Sequence, residues 1–171
     1  MSPGGNYDMA MSMTGGMTDQ QYCDAACTTL ISTCGVEFGS GCSSGCLAST
    51  VFLDCIKKAS LSDCNALSLC SFEQYSHDIC GGVGGVPMGS TDCADTANCE
   101  GTCNVAQPGI ASCPCNCIAG LLPIKAAALL VNNQCALSKC STDCGPTGSG
   151  SACNTCAANM CVTEHAQCNS Q

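Results

Sequence analysis

The sequence predicts a small, mainly helical, disulfide-rich fold: short helices and helical hairpins cross-linked by many disulfides, rich in loops, with an extended N-terminal arm. Three observations predict it. Twenty-two of the 171 residues are cysteine, well above the roughly 8–10 % that marks a disulfide scaffold in a secreted chain. Many of those cysteines recur at i, i+4, the spacing that puts two side chains on one helix face. The alternation and β-branched runs that signal strands are nearly missing.

The cysteine number is even, so eleven bridges can use every thiol. A cytosol would keep such thiols reduced, which places the chain in an oxidising, extracellular setting. The apolar content without cysteine is modest and largely alanine, with no Trp, three Phe and three Tyr. Aromatic side chains supply the largest burial areas in most cores. A core this thin calls for cross-links, each typically worth about 2–4 kcal/mol.

Thirteen acidic residues face four basic ones, all lysine, for a net charge of −9. That balance excludes the phosphate neutralisation that nucleic-acid binding needs and disfavours anionic membrane surfaces. Residues 1–20 lack the basic start and apolar stretch of a signal peptide, so a secreted mature form is expected. The longest apolar run, 118–131, contains Pro123 and Lys125 and is too short to span a bilayer.

Residues 1–17 form a cysteine-free arm. Residues 18–80 hold nine cysteines and form a first stapled helical lobe. Residues 81–90 (GGVGGVPMGS) are a glycine-rich linker, the candidate boundary. Residues 91–171 hold thirteen cysteines and form a second lobe. Both counts are odd. Either at least one bridge crosses the linker, or each lobe bonds a neighbouring molecule.

Within the first lobe, Thr18 or Asp19 caps a helix to about Cys34, with Cys23, Cys27, Leu30 or Ile31, and Cys34 on one face. A second helix is expected from Ser43 to Ala59 and a third from near Ser62 to the glycines at 81–82. In the second lobe, Leu121–Lys139 is the strongest helix, with Pro123 in its first turn, and a last helix covers about 152–167.

CX3C pairs recur, among them Cys23/Cys27, Cys42/Cys46, Cys99/Cys103 and Cys140/Cys144. Parallel Cβ vectors from successive turns cannot bridge each other without strain, so each pair faces a neighbour. Two such pairs on antiparallel helices give a twin-stapled hairpin. The favoured staples are Cys23–Cys46 and Cys27–Cys42, because antiparallel packing sets the first of one pair beside the last of the other. The Cys113-Pro-Cys115-Asn-Cys117 cluster should reach three different places and act as a knot.

The competing chemistry for that cluster is soft-metal binding. Cys113, Cys115 and Cys117 as thiolates, with Met9, Met11, Met13 and Met17 as thioethers, would suit copper or zinc. Cys153-x2-Cys156 lacks the βαβ context of a redox dithiol. His77 and His165 fall in no zinc frame, and His165 reads as a helix-surface residue. No nucleophile, phosphate-loop or c-haem motif occurs, so neither an enzyme nor a cofactor is expected. The arm methionines alternate along the chain and suit an irregular apolar groove on the chain's own lobes or on a neighbouring subunit.

The tail, with Cys153, Cys156, Cys161 and Cys168 in the pattern C-x2-C-x4-C-x6-C, resembles the helical cysteine-rich segments of secreted proteins and lipoproteins of deltaproteobacteria and myxobacteria. The resemblance covers residues 153–168 and implies an exported bacterial origin, with no activity attached.

The leading functional expectation is a non-enzymatic extracellular structural protein, a self-associating subunit of a secreted or cell-surface assembly such as a filament, whose arm docks on a neighbour. The alternatives are a copper or zinc protein and a carrier of small apolar ligands lined by Leu121, Leu122, Ile124, Leu129 and Leu130. Serine and threonine are frequent enough for O-linked glycan, and there is no N-linked sequon.

Overall fold

The structure is a computed structural model that describes residues 16–38, 40–106, 110–144 and 151–170. Among them are ten α-helices: α1 Asp19–Ser32, α2 Cys42–Ala48, α3 Thr50–Ile56, α4 Cys64–Ile79, α5 Cys93–Ala106, α6 Ser112–Gly120, α7 Ala126–Lys139, α8 Ser141–Cys144, α9 Ser151–Met160 and α10 Val162–Asn169. A 3-10 turn, Pro123–Lys125, leads into α7. Among the described residues, no helix is long and apolar enough to cross a membrane. The expected N-terminal arm lies outside the described residues except for Gly16 and Met17.

Local chemistry explains where the helices begin. Thr18 closes a capping box on α1: its hydroxyl accepts from the Gln21 N–H, and the Gln21 side chain accepts from the Thr18 N–H at 2.8 Å, satisfying two donors that a helix start leaves open. Asp63 caps α4 by accepting from the Asn65 and Ala66 N–H groups. The helix expected over Ser43–Ala59 is instead two helices. Ser49 is extended between them (φ −105°, ψ 104°), and its hydroxyl caps α3 by accepting from the Phe52 N–H. The last helix is likewise divided, at Cys161 between α9 and α10, and α1 ends before Cys34.

All 22 cysteines are paired within the chain. Cys23 bonds Cys46 and Cys27 bonds Cys42, stapling α1 antiparallel to α2. Cys34–Cys64 ties the end of α1 to the start of α4, and Cys55–Cys70 ties α3 to α4. The odd counts on either side of the glycine segment resolve through one crossing bridge, Cys80–Cys115. Cys113, Cys115 and Cys117 part to Cys103, Cys80 and Cys99. The remaining bridges, Cys93–Cys168, Cys135–Cys161, Cys140–Cys156 and Cys144–Cys153, hold the second half together.

Sulfur also fills the interior. Of the 28 buried apolar residues among those described, 14 are cysteine. Large aliphatic side chains that are fully buried are few, chiefly Leu30, Val36, Ile56, Leu67, Leu121 and Leu129. One cluster packs α1, α3 and α4 around Leu30, Ile56 and Leu67, and Leu130 and Val131 of α7 lean on it. A second joins Phe72 of α4 to Ile118, Leu121 and Leu129. The two halves therefore share apolar packing as well as a bridge. A third cluster, around Ala136 and Ala157, is mostly cystine.

The glycine-rich segment lies against α6. The Gly85 N–H donates to the Cys115 carbonyl at 2.8 Å and the Gly89 N–H to the Leu121 carbonyl at 3.0 Å. Thr91 and Leu121 form an isolated parallel bridge. A Cβ on Gly89 would lie 2.1 Å from the Gly120 carbonyl oxygen, and one on Gly85 2.6 Å from Cys80 Sγ. Glycine is thus required here by close backbone approach.

Candidate functional site

The concave feature that stands out is an apolar groove of about 570 Å³ along α2, walled by Phe38 and Phe52 and closed on the α4 side by Ser71 and Gln74. Its α2 wall is cystine and glycine: Cys42 and Cys46, both stapled to α1, stand beside Gly41 and Gly45. Local geometry holds it open. The double staple fixes α2 against α1, and Ser49 caps α3, which brings Phe52 into the groove lining. The Ser49 hydroxyl also donates to the Gln74 side-chain oxygen, tying α2 to α4. No charged side chain lines the groove. It offers apolar contact, aromatic faces that favour thioether sulfur, and hydroxyl and amide groups at its rim. A Cβ on Gly45 would have nothing within 4 Å, so this wall is open space.

Among the described residues, those expected to hold a metal or to line a ligand cavity lie elsewhere. Cys99, Cys103 and Cys117 bring their sulfurs within 4.8 Å of one another, and Cys103 Sγ lies 3.4 Å from Cys117 Sγ. These are two neighbouring disulfides, Cys99–Cys117 and Cys103–Cys113. Metal ligation needs the thiolate, and in this oxidised state Cys113, Cys115 and Cys117 carry none. The residues therefore do not fit a copper or zinc centre as they stand. Met9, Met11 and Met13 fall outside the described residues, and Met17 is exposed. Cys140 and Cys144 are engaged with Cys156 and Cys153. Leu121 and Leu129 are core residues, whereas Ile124 is 70 % exposed. None of the five residues expected to line a ligand cavity touches the groove. His165 is half-buried on α10 rather than on an open surface.

One buried acid went unread in the sequence. Glu100, on α5, is only 9 % exposed, and burial pushes its carboxyl up to about 7 against the opposing help of a hydrogen bond with Asn133 of α7. Its charge, added to burial, also raises the phenol of Tyr75 on α4. Nothing in the sequence marks Glu100 as buried: Thr96, four residues earlier on the same helix face, is likewise buried only through the tertiary fold. The groove was equally hidden, because Phe38, Phe52 and Gln74 meet only through the tertiary fold.

Comparison with protein-family models, with curated proteins and with solved structures finds no match for this chain.

Proposed function

We propose that the chain is a non-enzymatic extracellular structural protein, a self-associating subunit of a secreted or cell-surface assembly that uses its N-terminal arm to engage a neighbouring copy. The observation that carries this reading is the closed disulfide network: all 22 cysteines are joined in-chain. Such a module is covalently complete as a monomer, keeps no thiol for redox or nucleophilic chemistry, and suits an oxidising exterior. Further association would then be non-covalent, through surfaces such as the uncharged groove. The resemblance of residues 153–168 to exported deltaproteobacterial and myxobacterial proteins supports the compartment.

Deleting residues 1–17 leaves the α1 capping box intact, since that begins at Thr18. The shortened chain should keep its helical circular dichroism and sediment as a monomer where the full chain forms larger species. Equal association of the two would remove the arm from the account. Monomeric behaviour of the full chain at every concentration would remove the assembly.

A further inference from the structure

We infer that the groove along α2 is the receptor for residues 9–13 of the arm of a second copy of this chain. This rests on the reading of the chain as an assembling subunit and names the two surfaces that meet. Chemistry, length and direction point to it.

The chemistry is complementary. Met9, Met11 and Met13 fall on one face of the segment if it is extended, and methionine fills irregular apolar gaps and favours aromatic faces. The groove supplies Phe38, Phe52 and a cystine-lined wall. Both partners are uncharged: residues 9–17 contain no Asp, Glu, Lys or Arg, and neither does the groove lining. In a chain with net charge −9, contact between copies is least opposed where both surfaces are neutral.

The lengths agree. Alternate residues of a strand repeat at about 6.6–6.8 Å, so Met9 to Met13 covers about 13 Å. The groove wall from Gly41 to Ser49 rises about 12 Å at 1.5 Å per residue. Ser71 and Gln74, which keep hydrogen-bonding capacity beyond their bonds to Leu67, Ser49 and Asp78, offer partners for backbone groups of the arm, which a docked segment must satisfy.

Direction favours a second copy over the chain's own arm. The staples Cys23–Cys46 and Cys27–Cys42 set α1 antiparallel to α2, so the chain ahead of α1 leaves beyond the Ser49 end of the groove. The capping box holds Thr18 extended (φ −73°, ψ 162°), and Gly16 to Thr18 form no turn. To enter its own groove, the arm would have to double back within the few residues between Met13 and Gly16. Carried onward instead, it meets a molecule beyond that end. The contact is then head-to-tail, the class of interface that propagates into rings or filaments.

The test uses the full oxidised chain. A photoreactive benzoylphenylalanine replaces Met11 in unlabelled protein, which is mixed with an equal amount of 15N-labelled protein, irradiated and mapped by mass spectrometry. The expected product joins the light arm to heavy groove peptides containing Phe38 to Cys46. Alongside it, Gly45→Leu fills the groove from a helical position with open space, so the fold stays intact by circular dichroism. Self-association should weaken at least tenfold. Cross-links confined to light–light pairs within a monomer would overturn the second-copy assignment. Wild-type association of Gly45→Leu, or cross-links to other surfaces, would overturn the groove assignment while leaving assembly standing. Absence of association in both proteins would overturn the assembly reading and this inference with it.

Discussion

Replacing Cys80 and Cys115 together by alanine removes the one bridge that joins the two halves of the chain. The sequence separation is 35 residues, which in a chain without other cross-links gives about 3.8 kcal/mol of loop-closure entropy at 25 °C. The other ten bridges shorten that route. An unfolded but oxidised chain can run from Cys80 to Cys99, cross to Cys117 through their bond and return two residues to Cys115. The effective loop is then about 21 residues, and the entropy falls to about 3.3 kcal/mol. Because α4 and α7 share apolar packing, the halves should stay associated and unfold in one transition. The expected result is a native circular dichroism spectrum, a loss of about 3 kcal/mol in guanidinium unfolding, a melting point lower by roughly 6–12 °C, and a steeper denaturant slope as the freed chain expands. A loss below about 1 kcal/mol would refute the reasoning, because it would mean that the bridge constrains nothing the packing does not. Two separate transitions would refute the shared core.

Two further outcomes follow from single positions. Glu100 has a native pKa near 7 against a usual 4.5, so the folded state holds its proton more firmly than the unfolded state does. Stability is therefore full below about pH 4.5, falls as pH rises toward 7 and levels off above it, by about 3 kcal/mol in all. Glu100→Gln should flatten that slope and raise stability at pH 8, as read from denaturant midpoints between pH 4.5 and 8; an unchanged slope would assign it to other groups. Gly89→Ala places a Cβ 2.1 Å from the Gly120 carbonyl oxygen, a backbone contact that cannot yield. It should lower stability by about 2 kcal/mol or more, and a neutral effect would show that the segment does not sit on α6.

The parts of the fold legible in the sequence are those where a local rule decides. Cysteines at i, i+4 on adjacent helices leave few strain-free pairings, and the α1–α2 staples follow from that geometry. Odd counts on either side of residues 81–90 left two options, and the fold takes the one with a crossing bridge, Cys80–Cys115. Thr18 acts as the cap expected of it, and the helix expected from near Ser62 begins at Cys64 with Asp63 as its cap. What stayed hidden depends on contacts distant in sequence. Ser49 breaks a helix without glycine or proline, because its hydroxyl serves both the Phe52 N–H and Gln74 of α4. Helices α5 and α6 went unread because cysteine, glycine and Pro114 dilute their helical pattern. Asp92, which accepts from the Asp95 N–H at 2.8 Å, was the available start signal. The glycines at 81–90 read as a linker, whereas they permit close approach to α6 and Cys80. Glu100 could not be read as buried, since its shelter comes from the tertiary fold, including a hydrogen bond with Asn133 of α7.

In this fold cystine takes the place of much of an apolar core. Far-ultraviolet circular dichroism of the native protein, before and after complete reduction under non-denaturing conditions with 22 thiols counted, tests this most directly. Loss of the helical spectrum and of cooperative melting on reduction is the expected result. A fully reduced chain that keeps its helices and melts cooperatively would contradict it.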